Sequence, residues 1–233
     1  MTRVLTGEQL WTPPANQLNP FALDDHDVID VLTAHPDDRA VMLAYATHAA
    51  KLGEMSVRDI GAYVANDGEA STKGDPAWVR GRGRRTEELA SATREGIPLA
   101  RVHMPGLPDT DFGSRREFTI LVDSIGDYLL KRKTTTAITL GPEGGDGHPA
   151  HVRTHEAVMV AAREIKLGGG LLTVFGLNAH SQGSVVIDGS TPGYQAYKQH
   201  VMAPHLSQTP FEGYDRFLDR ETFDRYSING TAA

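Results

Sequence analysis

Two short loops contain the residues best suited to metal chemistry. One reads AHPDD over residues 34–38 and the other reads GDGHPAH over residues 145–151. A catalytic zinc ion takes about three protein ligands from His, Asp or Glu and keeps a further position for water. A His and an Asp from the first loop with a His from the second would supply such a set. Taken singly, a His-Pro or Asp-Asp pair is typical of an ordinary turn.

The same loops contain candidates for the other roles that hydrolysis needs. Zinc in such a site lowers the pKa of water to about 7 and polarises a carbonyl group. A carboxylate that is not a ligand must then accept the water proton, and Asp37 stands beside Asp38 for this role. His148 would protonate a leaving nitrogen or stabilise an oxyanion. The two loops together favour metal-assisted hydrolysis.

Strand-like segments precede both loops. The β-branched run at 28–33 comes directly before the first loop, and the alternating run at 135–140 comes shortly before the second. Further strands are predicted at 59–65 and 99–104, and helices at 39–52, 87–95, 118–131 and 155–167. Strands that alternate with helices predict an α/β, Rossmann-like three-layer sandwich with a mostly parallel sheet. In such sheets the carboxyl ends of the strands gather the ligand-binding loops.

The final third of the chain departs from this alternation. After the glycines at 168–170, a hairpin is predicted from 171–177 and 184–187, followed by a helix at 194–202. We expect this part to decorate the sheet and to form a wall of the site. The basic segment at 78–85 is predicted to be a solvated loop, with contact to an anionic group of a substrate as the alternative.

Composition limits the classes of protein to which the chain can belong. The 233 residues fit one domain over 1–233, with a Pro-containing arm at 1–20. The absence of cysteine excludes disulfides and thiolate ligands. A net charge of −7 argues against a general nucleic-acid binder, and no apolar run is long enough to span a membrane. We expect a cytoplasmic protein with a small-molecule substrate, and a homo-oligomer remains open.

Together, the strings TAHPDD and GHPAH resemble the LmbE-like, or PIG-L, family of zinc-dependent de-N-acetylases. Weaker matches run from about residue 28 to 210: NDGEAS at 66–71, Arg-x-x-Glu-Leu at 85–89, LPD at 107–109 and Lys-x6-His-x-Ser-Gln at 198–208. The resemblance implies removal of an acyl group from the amide nitrogen of a small amino-sugar-like substrate.

The resemblance also implies a role for each site residue. His35, Asp38 and His151 would bind Zn²⁺, with Fe²⁺ or Mn²⁺ as alternatives. Asp37 would be the general base and His148 the acid or electrophilic histidine. Arg85 and Asp109 match positions that contact the sugar in relatives, although a surface ion pair and a turn aspartate are the alternatives. His205 lies where relatives place a wall of the pocket.

Two departures from the family pattern stand beside these residues. Arg39 replaces the usual Glu, and Ala150 replaces an Asp that would orient the neighbouring His148. His155 is expected to be a packed or capping histidine. Two other functions stay open: a metal-dependent hydratase or lyase of a small acidic substrate on the same fold, and a relative that binds a ligand without catalysis. The presence of Asp37 beside a full ligand set argues against the latter, because binding alone needs no base.

Overall fold

The computed structural model describes residues 19–51, 59–70, 76–165, 172–178, 184–188, 193–208 and 220–228. The strands in this part of the chain are β1 (Val28–Thr33), β2 (Asp59–Val64), β3 (Val102–His103), β4 (Thr136–Leu140), β5 (Leu172–Leu177), β6 (Val185–Asp188) and β7 (Arg220–Ile228). The α-helices are α1 (Asp38–Met42), α2 (Ala44–Lys51), α3 (Ala77–Glu95), α4 (Arg115–Arg132), α5 (Pro149–Glu164) and α6 (Tyr194–Met202). Across the described ranges, no helix combines the length and apolarity required to cross a membrane.

All seven strands belong to one sheet, in the order β3-β2-β1-β4-β5-β7-β6. The first five are parallel, whereas β7 runs antiparallel to β5 and β6. Strand order reverses between β1 and β4, and a crevice for ligands opens at such a point. Because the AHPDD loop follows β1 and the GDGHPAH loop lies between β4 and α5, the sheet brings both loops to this crevice.

Helices cover both faces of the sheet because successive strand residues point to opposite sides. In β1, Val31 packs into the core under α1, α2 and α6, while Leu32 packs into the core under α4 and α5. The strands are buried on both faces, as parallel strands normally are. The predicted three-layer α/β sandwich is therefore confirmed.

The predicted hairpin in the final third is wrong. β5 and β6 do not pair with each other, because β7 lies between them and Phe223 is opposite both Leu177 and Val185. The sequence of β7, RETFDRYSI, is mostly polar, and so it did not suggest a strand. Glu221 and Phe223 are buried, and their spacing of two residues places them on the same face of the strand.

Several predicted boundaries also change. The solvated loop at 78–85 is wrong, because α3 begins at Ala77 and includes this segment. The helix at 39–52 is divided into α1 and α2 around Leu43. α5 starts at Pro149, so His151 lies in its first turn. The strand at 99–104 is reduced to a short 3-10 turn and two residues of β3. Most of the arm at 1–20 and the glycines at 168–170 lie outside the described residues.

Candidate metal centre

The first loop is folded around the Asp38 carboxylate. Asp38 is the first residue of α1, and its Oδ2 accepts hydrogen bonds from the backbone N–H groups of Ala34 (3.1 Å) and His35 (2.7 Å). Asp38 is only 2% exposed and His35 is 9% exposed. The turn that leaves β1 therefore fixes the Asp38 side chain and the backbone of His35 through contacts within the first loop alone.

The second loop depends on glycine at its tightest point. Gly144 has a φ of +69°, and a Cβ at this position would lie 2.9 Å from the Cβ of His151. The Gly144 carbonyl instead accepts a hydrogen bond from Nδ1 of His151 at 3.1 Å. This close approach positions His151 on the first turn of α5, facing the loop after β1.

Three potential ligands converge at this point. Nδ1 of His35 lies 2.9 Å from Nε2 of His151 and 3.4 Å from Oδ2 of Asp38, and Nε2 of His151 lies 3.1 Å from Oδ1 of Asp38. Ligand atoms about 2.0–2.1 Å from a tetrahedral ion are separated by about 3.3 Å. The residues present therefore fit a zinc-type ion.

The remaining ring nitrogen of each histidine faces a carboxylate. Nε2 of His35 is 3.5 Å from Oδ1 of Asp109, and Nδ1 of His151 is 2.8 Å from Oδ1 of Asp146. Histidines that bind metals commonly donate their second N–H to such a partner, which fixes the tautomer and the ring orientation. Asp109, predicted to contact a sugar, thus contacts His35. Asp146 had no assigned role in the sequence analysis.

The charges in this cluster favour a cation. Burial alone would lower the pKa of His35, but Asp38 and Asp109 raise it to about 9. Burial opposes protonation of His151 too, yet Asp38 and Asp146 raise its pKa to about 10. Burial would raise the pKa of Asp38, but the two histidines hold it well below its usual range. The carboxylates therefore stabilise positive charge where the imidazole nitrogens meet.

His148 borders the same cluster. Its ring centroid lies 5.0 Å from that of His35 and 4.8 Å from that of His151, and the ring nitrogens of the three histidines could hold a metal ion, lying within 4.8 Å of one another. His148 also caps α5, because its Nδ1 accepts a hydrogen bond from the N–H of Ala150 at 3.2 Å. Burial, His151 and His35 lower the pKa of His148.

The Ala150 departure has a visible consequence. Ala150 is fully buried in the core cluster of α4 and α5. The loop instead provides Asp146, whose Oδ1 accepts the backbone N–H of His148 at 2.9 Å in addition to its contact with His151. The carboxylate that supports the second loop therefore precedes His148 in this chain.

Arg84 is a second site residue, after Asp146, to which the sequence analysis assigned no role. Arg84 is only 5% exposed, and its guanidinium pairs with Oδ1 of Asp37. Arg85 instead pairs with Asp67 at 3.3 Å and donates to the Met104 carbonyl at 2.9 Å, with 43% of its side chain exposed. The buried positions Arg84, Glu88, Ser91 and Glu95 recur at the spacing of one helix face. Extending the predicted helix toward the N-terminus would have exposed this pattern.

Two other histidines are buried and do not belong to the three-histidine group. His205, expected on a pocket wall, has no exposed surface, and its Nε2 lies 3.7 Å from Oε2 of Glu88. Burial lowers its pKa to about 4, so it is neutral near pH 7. His155 is packed against Tyr226, with Nδ1 2.8 Å from the Leu140 carbonyl oxygen, as predicted for a packed histidine.

Comparison with known proteins gives a family match and curated relatives that match over a short segment. The PIG-L family, described as GlcNAc-PI de-N-acetylase, matches residues 31–162. A 1D-myo-inositol 2-acetamido-2-deoxy-alpha-D-glucopyranoside deacetylase from Corynebacterium glutamicum (strain R) is 41% identical over 46 residues. This match takes in 20% of the chain and only 16% of the relative's length.

Solved structures with the same fold include two different activities. An N,N'-diacetylchitobiose deacetylase from Pyrococcus horikoshii is similar with a TM-score of 0.70 and 18% identity, over 99% of this chain and 96% of that one. A 4-carboxy-2-hydroxymuconate hydratase from Pseudomonas putida has a TM-score of 0.60 and 12% identity, over 89% and 99% of the two chains. At these identities the likeness shows the fold, whereas the family match spans both metal-type loops. The chain belongs to the PIG-L family of de-N-acetylases.

Proposed function

We propose that this protein is a metal-dependent hydrolase that removes an acyl group, typically acetyl, from the amide nitrogen of a small amino-sugar-like substrate. The observation that carries the proposal is the convergence of His35, Asp38 and His151 beside a further carboxylate, Asp37. The family match supports the reaction type, and the relatives that act on acetylated amino sugars support the substrate class.

His35, Asp38 and His151 would hold the ion, and zinc suits two imidazoles and a carboxylate. When bound, such an ion supplies Lewis-acid polarisation of the amide carbonyl and lowers the pKa of water. His148 also has ring nitrogens near this point. We assign it another role because its Nδ1 accepts the Ala150 N–H, while Asp38 presents an oxygen to each of the other two histidines.

Asp37 is the proposed general base. It accepts a proton as water attacks the amide carbon, and the same proton then passes to the nitrogen as the C–N bond breaks. The products are a free amine and a carboxylic acid, and the acid then ionises to the carboxylate by releasing its proton to solvent. Asp37 is 3% exposed, adjoins Asp38 in the chain and pairs with Arg84, and these features support its assignment as the base and not as a ligand.

His148 is the proposed donor to the oxyanion. In the neutral ring, a hydrogen bond accepted at Nδ1 requires the proton to reside on Nε2. An Nε2–H donor stabilises negative charge on the carbonyl oxygen as the tetrahedral intermediate forms. This arrangement favours a neutral hydrogen-bond donor over an imidazolium acid, because protonation of Nδ1 would break the helix cap.

Amine release tests the proposal directly. The protein should be incubated with a set of N-acetylated amino sugars after loading with Zn²⁺, Fe²⁺ or Mn²⁺, and the free amine measured with an amine-reactive dye. We expect release that is abolished by a chelator and restored by metal. Asp37→Asn should give no release above background. A hydratase on this fold would release no amine, so absence of amine with every substrate and metal would reject the deacetylase assignment.

A further inference from the structure

Arg84 is held at both ends of its guanidinium group. One terminal nitrogen pairs with Oδ1 of Asp37, and the other donates to the Gly68 carbonyl at 3.0 Å. Burial would lower the pKa of Arg84, but Asp37 and Asp38 outweigh it and raise the pKa. The group is thus a fixed cation, anchored on backbone from the loop after β2 and directed at the proposed base.

Gly68 leaves the space that this guanidinium occupies. Its φ is +68°, and its N–H donates to Oδ1 of Asn66 at 2.9 Å. A Cβ on Gly68 would lie 2.1 Å from Nη1 of Arg84 and 2.3 Å from its Cζ, distances that no side chain can accept. Any residue other than glycine must displace the guanidinium or the loop.

Asp37 depends on this contact for its orientation. Although Asp37 is the N-cap residue of α1, its side chain makes no capping hydrogen bond to that helix. The turn around Asp38 fixes the backbone but supplies no capping contact to the Asp37 carboxylate. The pairing with Arg84 orients this carboxylate, since a guanidinium holds a carboxylate in a defined geometry.

We propose that Gly68 and Arg84 act as a lock that positions the Asp37 carboxylate for proton transfer, which makes both of them positioning residues. The inference rests on the proposed role of Asp37 as the base. It assigns a function to the Gly in the Asn66-Asp67-Gly68 segment and to Arg84. Arg85 contacts Asp67 of the same segment and the Met104 carbonyl, and it does not pair with Asp37. Misplacement of a reacting group by about 1 Å can cost about 100-fold in rate.

Gly68→Ala tests the lock against a matched control, Gly106→Ala. Gly106 has a φ of +67°, so alanine there carries the same backbone cost, but its Cβ would meet only Oδ2 of Asp67 at 3.6 Å. We expect Gly68→Ala to lower kcat by about 10- to 100-fold with KM and metal content nearly unchanged. Gly106→Ala should keep the wild-type kcat. Equal losses in the two variants would overturn the proposal.

Rescue separates positioning from general stability. Arg84→Ala should lose kcat while retaining metal, and added guanidinium ion should restore part of the activity by occupying the vacated space. Arg84→Lys should show a smaller loss than Arg84→Ala and no rescue, because its ammonium fills the space. Wild-type kcat in Arg84→Ala would overturn the lock.

A spectroscopic measurement tests the lock without activity. The Nε–H resonance of Arg84, assigned by its disappearance in Arg84→Lys, should exchange slowly with solvent in a ¹⁵N spectrum of the metal-loaded protein. It should shift in Asp37→Asn and in Gly68→Ala but not in Gly106→Ala. If the Arg84 resonance did not shift in Asp37→Asn, the lock would be refuted. If the wild type releases no amine from any substrate, the proposed function fails while this measurement still decides the geometry.

Discussion

Asp38 and Arg39 are neighbours in the chain, but they belong to two different clusters of buried charge. Asp38 meets two histidines at the crevice, and the outer nitrogens of those histidines face Asp109 and Asp146. We call this group the open cluster. Without a metal ion, His35 and His151 hold protons near pH 7, since their pKa values are raised to about 9 and about 10. A bound metal ion would replace those protons as the positive charge beside the carboxylates.

The second group, which we call the closed cluster, consists of Arg39 and its partners Glu88, Ser91 and Glu95 on α3. Arg39 has no exposed surface, pairs with Glu88 at 2.9 Å and with Glu95, and donates to Ser91 Oγ at 3.2 Å. Burial raises the pKa of Glu88 to about 7, although Arg39 lowers it in part, so this closed cluster approaches neutrality at physiological pH. The family departure at residue 39 thus has an internal partner set.

The comparison distinguishes two uses of buried charge. In the closed cluster, opposite charges satisfy each other and connect α1 to α3, so its expected effect is on folding. In the open cluster, the carboxylates face histidine nitrogens that can hold either a proton or a metal ion, so its expected effect is on binding a cation. Substitutions in the two clusters should therefore give different phenotypes even when the residues are adjacent.

The largest effect is expected for Asp38→Ala. Loss of a proposed ligand should weaken zinc binding by more than the roughly 10- to 100-fold that follows loss of an outer partner. The purified variant should then lack stoichiometric metal and amine-releasing activity. Metal analysis by mass spectrometry measures this, with His148→Ala as the control expected to keep its metal. Exchange of these two results would place His148 in the ligand set and remove Asp38 from it.

Asp37→Asn should separate catalysis from binding within the same loop. The amide is similar in size but cannot accept the water proton, so kcat should fall by about 100- to 10,000-fold. Metal content should stay at the wild-type level, because Asp37 pairs with Arg84 and is not a proposed ligand. Steady-state kinetics and metal analysis on the same preparation provide the test. Loss of metal in this variant would contradict the division of roles between Asp37 and Asp38.

Arg39→Met should lower the free energy of unfolding and leave metal binding unchanged. Removing one partner of a buried charge pair leaves Glu88 and Glu95 without their cation, and such changes cost about 3–5 kcal/mol. Urea unfolding in the presence of a chelator measures this free energy without a contribution from metal. Arg101→Met is the matched control, because the Arg101–Asp59 pair is partly exposed and should be worth no more than about 1 kcal/mol. Similar values for the two variants would remove the distinction between the clusters.

The smallest effect is expected for Asp146→Ala at the edge of the open cluster. This change removes the partner of His151 Nδ1 but leaves the Gly144 carbonyl in contact with the same nitrogen. Zinc affinity should fall by about 10- to 100-fold while the three proposed ligands remain. Competition with a chromophoric chelator measures the affinity. An unchanged value would indicate that the Gly144 carbonyl alone orients His151.

The sequence by itself was sufficient for the strand-loop-helix alternation, for the two loops that carry His35, Asp38 and His151, and for the family. These features are local, because β-branched runs, helical spacing and short motifs each lie within one short segment of the chain. The parallel sheet then follows, because alternating strands and helices have few other ways to bury both faces.

Only the tertiary structure decided which distant side chains meet. Arg84 and Asp37 are separated by 47 residues, and the choice of Arg84 over Arg85 depends on which face of α3 is buried. The polar strand β7 gained its place from hydrogen bonds to β5 and β6, which its own sequence does not reveal. The same holds for Asp109 and Asp146 beside the histidines and for the complete burial of His205. In each case the deciding interaction is between segments far apart in the chain, so no local pattern encodes it.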